Sequence, residues 1–121
     1  MAQKPVILVV DDDQPILLLM RNLLNEFGFE PVAAGSGRAA LAEARRRTPD
    51  LILLDKNMPG MTGEEVMREL RAEPQLGDVP VLILSGEPLE PDELRSLGAN
   101  GAVLKPFDVS ALIQTIRAHI N

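Results

Sequence analysis

The chain has 121 residues, of which 45% are hydrophobic, 25% are charged and 2% are aromatic. This balance is typical of one globular domain with an aliphatic core, here expected over residues 1–121, and it argues against disordered and membrane-spanning classes. The net charge of −6 and the absence of cysteine argue against a nucleic-acid surface, an anionic membrane surface, and thiolate or disulfide chemistry.

Strand patterns and helix patterns alternate along the chain. The first predicted strand is the apolar run Pro5 to Val10, which stops at three aspartates, and the first helix runs from near Asp13 to Gly28. We expect this helix to bury a stripe formed by Ile16, Met20, Leu23, Leu24 and Phe27. The later elements are, in order, a strand near Glu30 to Ala34, a helix from about Arg38 to Arg47, a strand Leu51 to Leu54, a helix carrying Val66, Met67 and Leu70, a strand Val81 to Leu84, a weak helix around Asp92 to Leu97, a strand Ala102 to Leu104, and a last helix carrying Val109, Leu112, Ile113, Ile116 and Ile120.

Five strand-then-helix units predict an α/β fold. Right-handed crossovers and the chain length favour a doubly wound, five-stranded parallel sheet of the flavodoxin-like order 2-1-3-4-5, with helices on both faces. In such a sheet, ligands bind at the carboxyl ends of the first and third strands, where the winding reverses.

Acidic residues follow both of these strands. Asp11 and Asp12 end the first strand and Asp55 ends the third, so we expect the three carboxylates to converge. Taken singly, such residues are typical turn formers, and Asp13 is a typical helix cap. Their conjunction instead favours a cation site. Oxygen ligands without histidine or cysteine suit Mg²⁺.

Two more polar residues are predicted at the same edge. Ser85 ends the fourth strand and Lys105 ends the fifth, so a hydroxyl and an ammonium would face the carboxylates. Considered alone, Ser85 is typical of a turn before a helix and Lys105 of a solvated strand end.

Together these segments resemble the receiver domains of two-component response regulators, in the single-domain form of the chemotaxis response regulators. The resemblance covers essentially the whole chain. It rests on Val9-Val10-Asp11-Asp12-Asp13, on Asp50-Leu51-Ile52-Leu53-Leu54-Asp55 with the following Met58-Pro59-Gly60, on Leu84-Ser85-Gly86 and on Lys105-Pro106-Phe107.

The resemblance implies that Asp55 is the phosphoacceptor. The donor would be a phosphohistidine on a sensor histidine kinase or phosphotransfer protein, or a small acyl phosphate, and a downstream protein would be the target. The resemblance also implies a Mg²⁺ site formed by Asp12, Asp55 and the backbone carbonyl of Asn57, with Asp11 reaching the ion through water.

Further roles follow from the same resemblance. Lys105 would pair with one phosphoryl oxygen and Ser85 would donate a hydrogen bond to another. The Lys105–Pro106 peptide is expected to be cis. Asn57 and Glu87 would modulate the access of water to the acyl phosphate, and polar residues at both positions imply a short-lived phosphoryl group.

One position departs from the family pattern. Receiver domains usually carry tyrosine or phenylalanine three residues before the lysine, and this chain has Ala102, so the usual aromatic rotamer switch cannot operate. The fourth helix, preceded by Pro88 and Pro91, is expected to be short and weakly held. We therefore expect phosphorylation to shift the Ser85 to Pro91 loop and this helix.

Three other protein classes share part of this pattern. An aspartyl-nucleophile phosphohydrolase would need a second aspartate where Asn57 stands, and a flavin-binding protein of this fold would need aromatic residues that the chain lacks. A pseudo-receiver that no longer takes phosphate is kept open by Ala102. We expect a signalling protein rather than a turnover enzyme.

The two ends of the chain give weaker expectations. Met1 to Pro5 lacks the apolar segment of a secretory signal, and apolar runs such as Val6 to Val10 are far shorter than the roughly 20 residues of a membrane helix. We expect a cytoplasmic protein with no membrane partner. Because the sequence ends within a turn of the last predicted helix, we also expect no output domain.

Overall fold

The computed structural model describes residues 3–120; Met1, Ala2 and Asn121, the ends of the predicted domain, lie outside the described residues. The elements are β1 (Val6–Val10), α1 (Gln14–Glu26), β2 (Glu30–Ala34), α2 (Gly37–Arg46), β3 (Leu51–Asp55), α3 (Gly63–Ala72), β4 (Val81–Ser85), α4 (Pro91–Leu97), β5 (Gly101–Leu104) and α5 (Val109–His119). Every predicted element is present, and the boundaries that were predicted agree within two residues.

The five strands form a parallel sheet in the order β2-β1-β3-β4-β5, which confirms the predicted topology. Strands β1, β3 and β4 are buried along their whole length, because each is apolar up to or through its last residue and needs cover on both faces. Their side chains alternate between two core layers. Leu8 and Val10 contact the layer of α2 and α3, whereas Ile7 and Val9 contact the layer of α1 and α5.

The predicted stripe of α1 was wrong in part. The helix buries Leu17, Met20 and Leu24, whereas Phe27 lies at the C-cap and is 37% exposed. The run Ile16 to Met20 is apolar at every position, so periodicity could not select the core face. Leu18 and Leu19 are left 61% and 56% exposed.

The last helix differs from its predicted stripe in a similar way. Leu112, Ile113 and Ile116 are buried as predicted, but Val109 is 41% exposed. Val109 is the first residue of α5, and the first turn of the helix does not yet cover the sheet.

Strand register places the polar residues at one edge. Val10 pairs with Leu54, so the residues that follow β1 and the last residue of β3 leave the sheet side by side. Ser85 pairs with Leu104 at the same end of the neighbouring strands. The carboxyl edge of the sheet therefore gathers the acids, the hydroxyl and the lysine that were predicted to meet.

Helices α2 and α3 approach each other closely at Gly37. A Cβ atom on this residue would lie 2.7 Å from Val66 Cγ2 and 2.9 Å from Met61 Cβ. The position therefore has no space for a side chain.

We expect Gly37→Ala to lower the free energy of unfolding by about 1–3 kcal/mol, because the added methyl overpacks this contact. Gly86→Ala is the matched control, since a Cβ there meets no atom within 4 Å. Urea unfolding followed by circular dichroism measures both variants. Equal effects from the two substitutions would contradict the packing argument.

Candidate functional site

Three carboxylates meet at the carboxyl edge of the sheet. One oxygen each from Asp11, Asp12 and Asp55 lie within 4.8 Å of one another. Asp11 and Asp55 are buried, at 1% and 7% exposure, whereas Asp12 is exposed. The predicted convergence of the three acids is confirmed, because β1 and β3 are neighbours in register.

The three consecutive aspartates have two different roles: Asp13 caps a helix, whereas Asp11 and Asp12 belong to the acidic cluster. Asp13 caps α1, its side chain accepting a hydrogen bond from the N–H of Ile16, as the turn-and-cap interpretation expects. The N–H of Asp13 also donates to Asp11 Oδ1 at 3.0 Å. This bond fixes the Asp11 carboxylate at the start of the helix while Asp11 and Asp12 face the cluster.

The ammonium of Lys105 lies among these acids. Its Nζ is 3.0 Å from Asp11 Oδ2 and 3.4 Å from Asp55 Oδ1. Lys105 directly follows β5, and its N–H donates to the carbonyl of Ser85 at 2.8 Å. The Lys105–Pro106 peptide is cis, as predicted.

Burial and neighbouring charges shift the pKa values of Asp55 and Lys105. Burial raises the pKa of Asp55 above its ordinary value and the charge of Asp11 raises it further, while Lys105 and the N–H of Asn57 act in the opposite direction. Burial lowers the pKa of Lys105, but the hydrogen bond to Asp11 and the charges of both aspartates outweigh it, so that this pKa is raised. Lys105 therefore stays protonated, and one ammonium cannot balance three carboxylates.

The donor set fits a hard divalent cation. All three converging side chains offer carboxylate oxygens, the chain has no cysteine, and its one histidine, His119, lies beside Gly101 at the opposite end of β5. Oxygen ligands of this kind suit Mg²⁺ better than zinc or copper. The site therefore has the charge and the chemistry for Mg²⁺.

Ser85 is at the expected edge but is turned towards its own loop. Its hydroxyl is buried, donates to the carbonyl of Glu87 at 2.7 Å and accepts the N–H of Glu87 at 3.1 Å. The side chains of Asn57 and Glu87 are exposed beside the crevice, and the N–H of Asn57 donates to Asp55 Oδ1 at 3.3 Å. Ser85 would have to rotate to reach a group bound at Asp55.

Sequence reasoning missed two cationic side chains around α4. Lys56, which follows Asp55, pairs with Glu93 of α4 at 2.9 Å. Arg71 at the end of α3 donates to the carbonyl of Gly98 and to Asn100. These partners are 27 to 37 residues apart, so no local pattern could have indicated them.

Comparison with known proteins gives a consistent result. Residues 7–117 match the family model described as the response regulator receiver domain. The chain is 38% identical over 117 residues to the DNA-binding response regulator MtrA of Mycolicibacterium smegmatis, covering 95% of this chain and 50% of MtrA. The chain spans about half the length of the curated relatives it matches.

Solved structures show the same fold. The chemotaxis protein CheY4 of Vibrio cholerae superposes with a TM-score of 0.90 at 34% identity, covering 98% of this chain and 100% of that one. The receiver domain of the sensor histidine kinase PA1611 from Pseudomonas aeruginosa superposes with a TM-score of 0.87 at 26% identity, covering 96% of this chain and 97% of that one. That receiver domain was solved with a magnesium ion coordinated in its active site cleft.

Receiver domains are signalling domains that bind Mg²⁺ in an acidic pocket and interact with histidine kinases and downstream effectors. Within residues 3–120, none of the helices combines the length and apolar character needed to cross a lipid bilayer. The family match covers nearly the whole chain, and the fold and the acidic pocket agree with it. The chain therefore belongs to the family of response-regulator receiver domains.

Proposed function

We propose that this chain is a switch controlled by phosphorylation of Asp55. The phosphoryl group would come from a phosphohistidine on a sensor histidine kinase or phosphotransfer protein, or from a small acyl phosphate. The observation that supports this proposal is the ammonium of Lys105 set between the carboxylates of Asp11 and Asp55. Such a group neutralises charge at the phosphoryl oxygens while leaving a carboxylate free to attack.

The residues that would hold Mg²⁺ are Asp12, Asp55 and the backbone carbonyl of Asn57, with Asp11 acting through water. Support comes from the three carboxylate oxygens that lie within 4.8 Å. When bound, the ion would supply positive charge that offsets the negative charge of the phosphoryl oxygens.

In the transfer step, a carboxylate oxygen of Asp55 forms a bond to phosphorus while the bond from phosphorus to the donor's nitrogen or oxygen breaks. The donor leaves with the electron pair of that bond. Lys105 pairs with one phosphoryl oxygen, and Ser85, after leaving its bond to Glu87, donates to another. Asn57 and Glu87 flank the crevice, where they would govern the approach of water to the acyl phosphate.

We infer protein partners on both sides of the reaction. Leu18 and Leu19 are exposed on α1, the helix that follows Asp13, and an exposed apolar face on that helix suits a phosphodonor protein. The net charge of −6 does not favour direct contact with nucleic acid or an anionic membrane. A cytoplasmic location stays a prediction. The switch would turn over no substrate beyond its own phosphoryl group.

Acetyl phosphate tests the acceptor directly. With Mg²⁺ present, we expect intact-protein mass spectrometry to show one added phosphoryl group, and without Mg²⁺ little or none. Asp55→Asn removes the attacking oxygen, so this variant should gain no phosphoryl group. An unmodified parent protein would favour the pseudo-receiver, whereas steady release of phosphate from phosphomonoesters would favour the phosphohydrolase.

The role of Lys105 has its own test. We expect Lys105→Met to slow phosphorylation by acetyl phosphate about tenfold or more, because the uncompensated charge of the phosphoryl oxygens then opposes transfer. Lys4→Met is the control, since it removes the same charge from an exposed position. Similar rates for the two variants would exclude a specific role for Lys105.

The electrostatics of Asp55 predict a pH-dependent stability. Because its pKa is raised in the folded protein, the group favours folding below the ordinary aspartate pKa, and this contribution is lost as the pH rises through the raised value. Without Mg²⁺ at pH 7, Asp55→Asn should therefore be more stable than the parent, and the difference should shrink in acid. Urea unfolding measures this. Mg²⁺ should stabilise the parent and not the variant.

Glu26→Gln at the exposed end of α1 is the control for simple loss of negative charge. If this substitution matched Asp55→Asn, or if Asp55→Asn were the less stable protein at pH 7, the assignment of the unfavourable charge to Asp55 would be wrong.

A further inference from the structure

Packing holds α4 only weakly. The helix has seven residues and none of them is buried. Between it and the β3–α3 loop lies a cleft of about 610 Å³, lined by Lys56, Met58 and Leu97 among others. Leu94 and Leu97 pack against the core but are only partly buried, so the polar contacts at the two ends of α4 add to a weak apolar anchor.

The C-terminal end of α4 is fixed by Arg71. Its guanidinium donates to the carbonyl of Gly98 at 2.9 Å and 3.2 Å and to Asn100 Oδ1 at 3.2 Å. The same group donates to the carbonyls of Gly77 and Val79 at 2.9 Å and 2.8 Å. Asn100 Oδ1 also accepts the N–H of Val81, the first residue of β4, at 2.9 Å. This end of the helix is therefore tied to the sheet by several hydrogen bonds.

The end also has a complete helix cap. Gly98 adopts the left-handed conformation with φ 78°, its N–H donates to Arg95, and the N–H of Ala99 donates to Leu94. This pair of bonds is a Schellman motif, which satisfies the last carbonyls of the helix.

The N-terminal end has a single ion pair. The N-cap residue Glu90 makes no side-chain capping bond, whereas Glu93 in the first turn pairs with Lys56 at 2.9 Å. Lys56 is itself held to the sheet, because its N–H donates to the carbonyl of Leu84 at 3.0 Å. Lys56, the residue next to Asp55, therefore holds the N-terminal end of α4.

The loop before α4 and a phosphoryl group on Asp55 would compete for the hydroxyl of Ser85. This hydroxyl now closes a local ring with Glu87, four residues before Pro91 begins the helix. If the hydroxyl turned to a phosphoryl oxygen on Asp55, the carbonyl of Glu87 would lose its donor. The loop would then rearrange at the end of α4 that Arg71 does not hold.

We propose that α4 is a lever with a hinge and a latch. The hinge is the Arg71 contact with Gly98 and Asn100, and the latch is the ion pair between Lys56 and Glu93. The latch sets how often the N-terminal end of α4 detaches in the resting protein. Coupling of its release to Asp55 rests on the proposed phosphorylation. This route passes through the loop and Lys56, so it needs no bulky side chain at Ala102.

The latch is tested in the protein without any phosphodonor, by residue-resolved amide hydrogen exchange. Glu93→Gln and Lys56→Met should each speed exchange of the Leu94 amide about two- to fivefold, the range for a partly exposed ion pair. Exchange at Asn100, whose N–H donates to the carbonyl of Val81, should not change, because Arg71 still holds that end. The double variant K56E/E93K should bring the Leu94 rate back towards that of the parent.

Asp92→Asn is the matched control. Asp92 lies in the same helical turn and pairs with Arg95 within α4, so it tests the loss of an acid without loss of the latch. If Asp92→Asn sped exchange as much as Glu93→Gln, the effect would belong to helix electrostatics and the latch would be refuted. If Asn100 exchanged faster together with Leu94, α4 would detach as a unit and the hinge would be refuted.

A second arm adds acetyl phosphate and Mg²⁺ while intact mass is monitored. In phosphorylated parent protein, the Leu94 amide should exchange faster, and in Glu93→Gln the further increase should be small. A phosphorylated parent with unchanged Leu94 exchange would refute the coupling. Absence of any added phosphoryl group would overturn the proposed function instead, while the experiment on the resting protein still decides the latch.

Discussion

The candidate site depends on the meeting of three carboxylates and one ammonium at the carboxyl edge of a buried parallel sheet. Asp11, Asp12 and Asp55 approach within 4.8 Å, and Lys105 offsets only part of their charge. Like charges so close are unfavourable unless a cation is bound or a carboxylate takes a proton, and burial together with the charge of Asp11 raises the pKa of Asp55. The fold therefore holds a cluster of negative charge that a bound cation would neutralise.

The rest of the sheet makes this concentration of charge possible. Strands β1, β3 and β4 are buried throughout, and β3 and β4 are apolar except at their last residues, so the two core layers fix the backbone from which the acids emerge. Hydrogen bonds from the backbone N–H groups of Asp13 and Asn57 to Asp11 and Asp55 hold both carboxylates. These contacts set the positions of both charged groups.

Helix α4, on the other side of this sheet edge, is held less firmly than the strands. Helix α4 has no buried residue, and its contacts with the site run through Lys56 and the loop after Ser85. A rigid acceptor beside a weakly held helix allows a change at Asp55 to move one element without disturbing the core. The division between rigid and movable parts is a property of packing and of a few ion pairs.

The sequence by itself determined the element order, the sheet topology and the meeting of Asp11, Asp12 and Asp55, because unbroken apolar runs and the residues that end them are local signals. Tertiary structure decided the rest. It selected Leu17 over Phe27 for the core, turned Ser85 towards Glu87, and joined Lys56 to Glu93 and Arg71 to Gly98. These contacts depend on how distant segments pack, and side-chain periodicity carries no information about a partner 27 or 37 residues away.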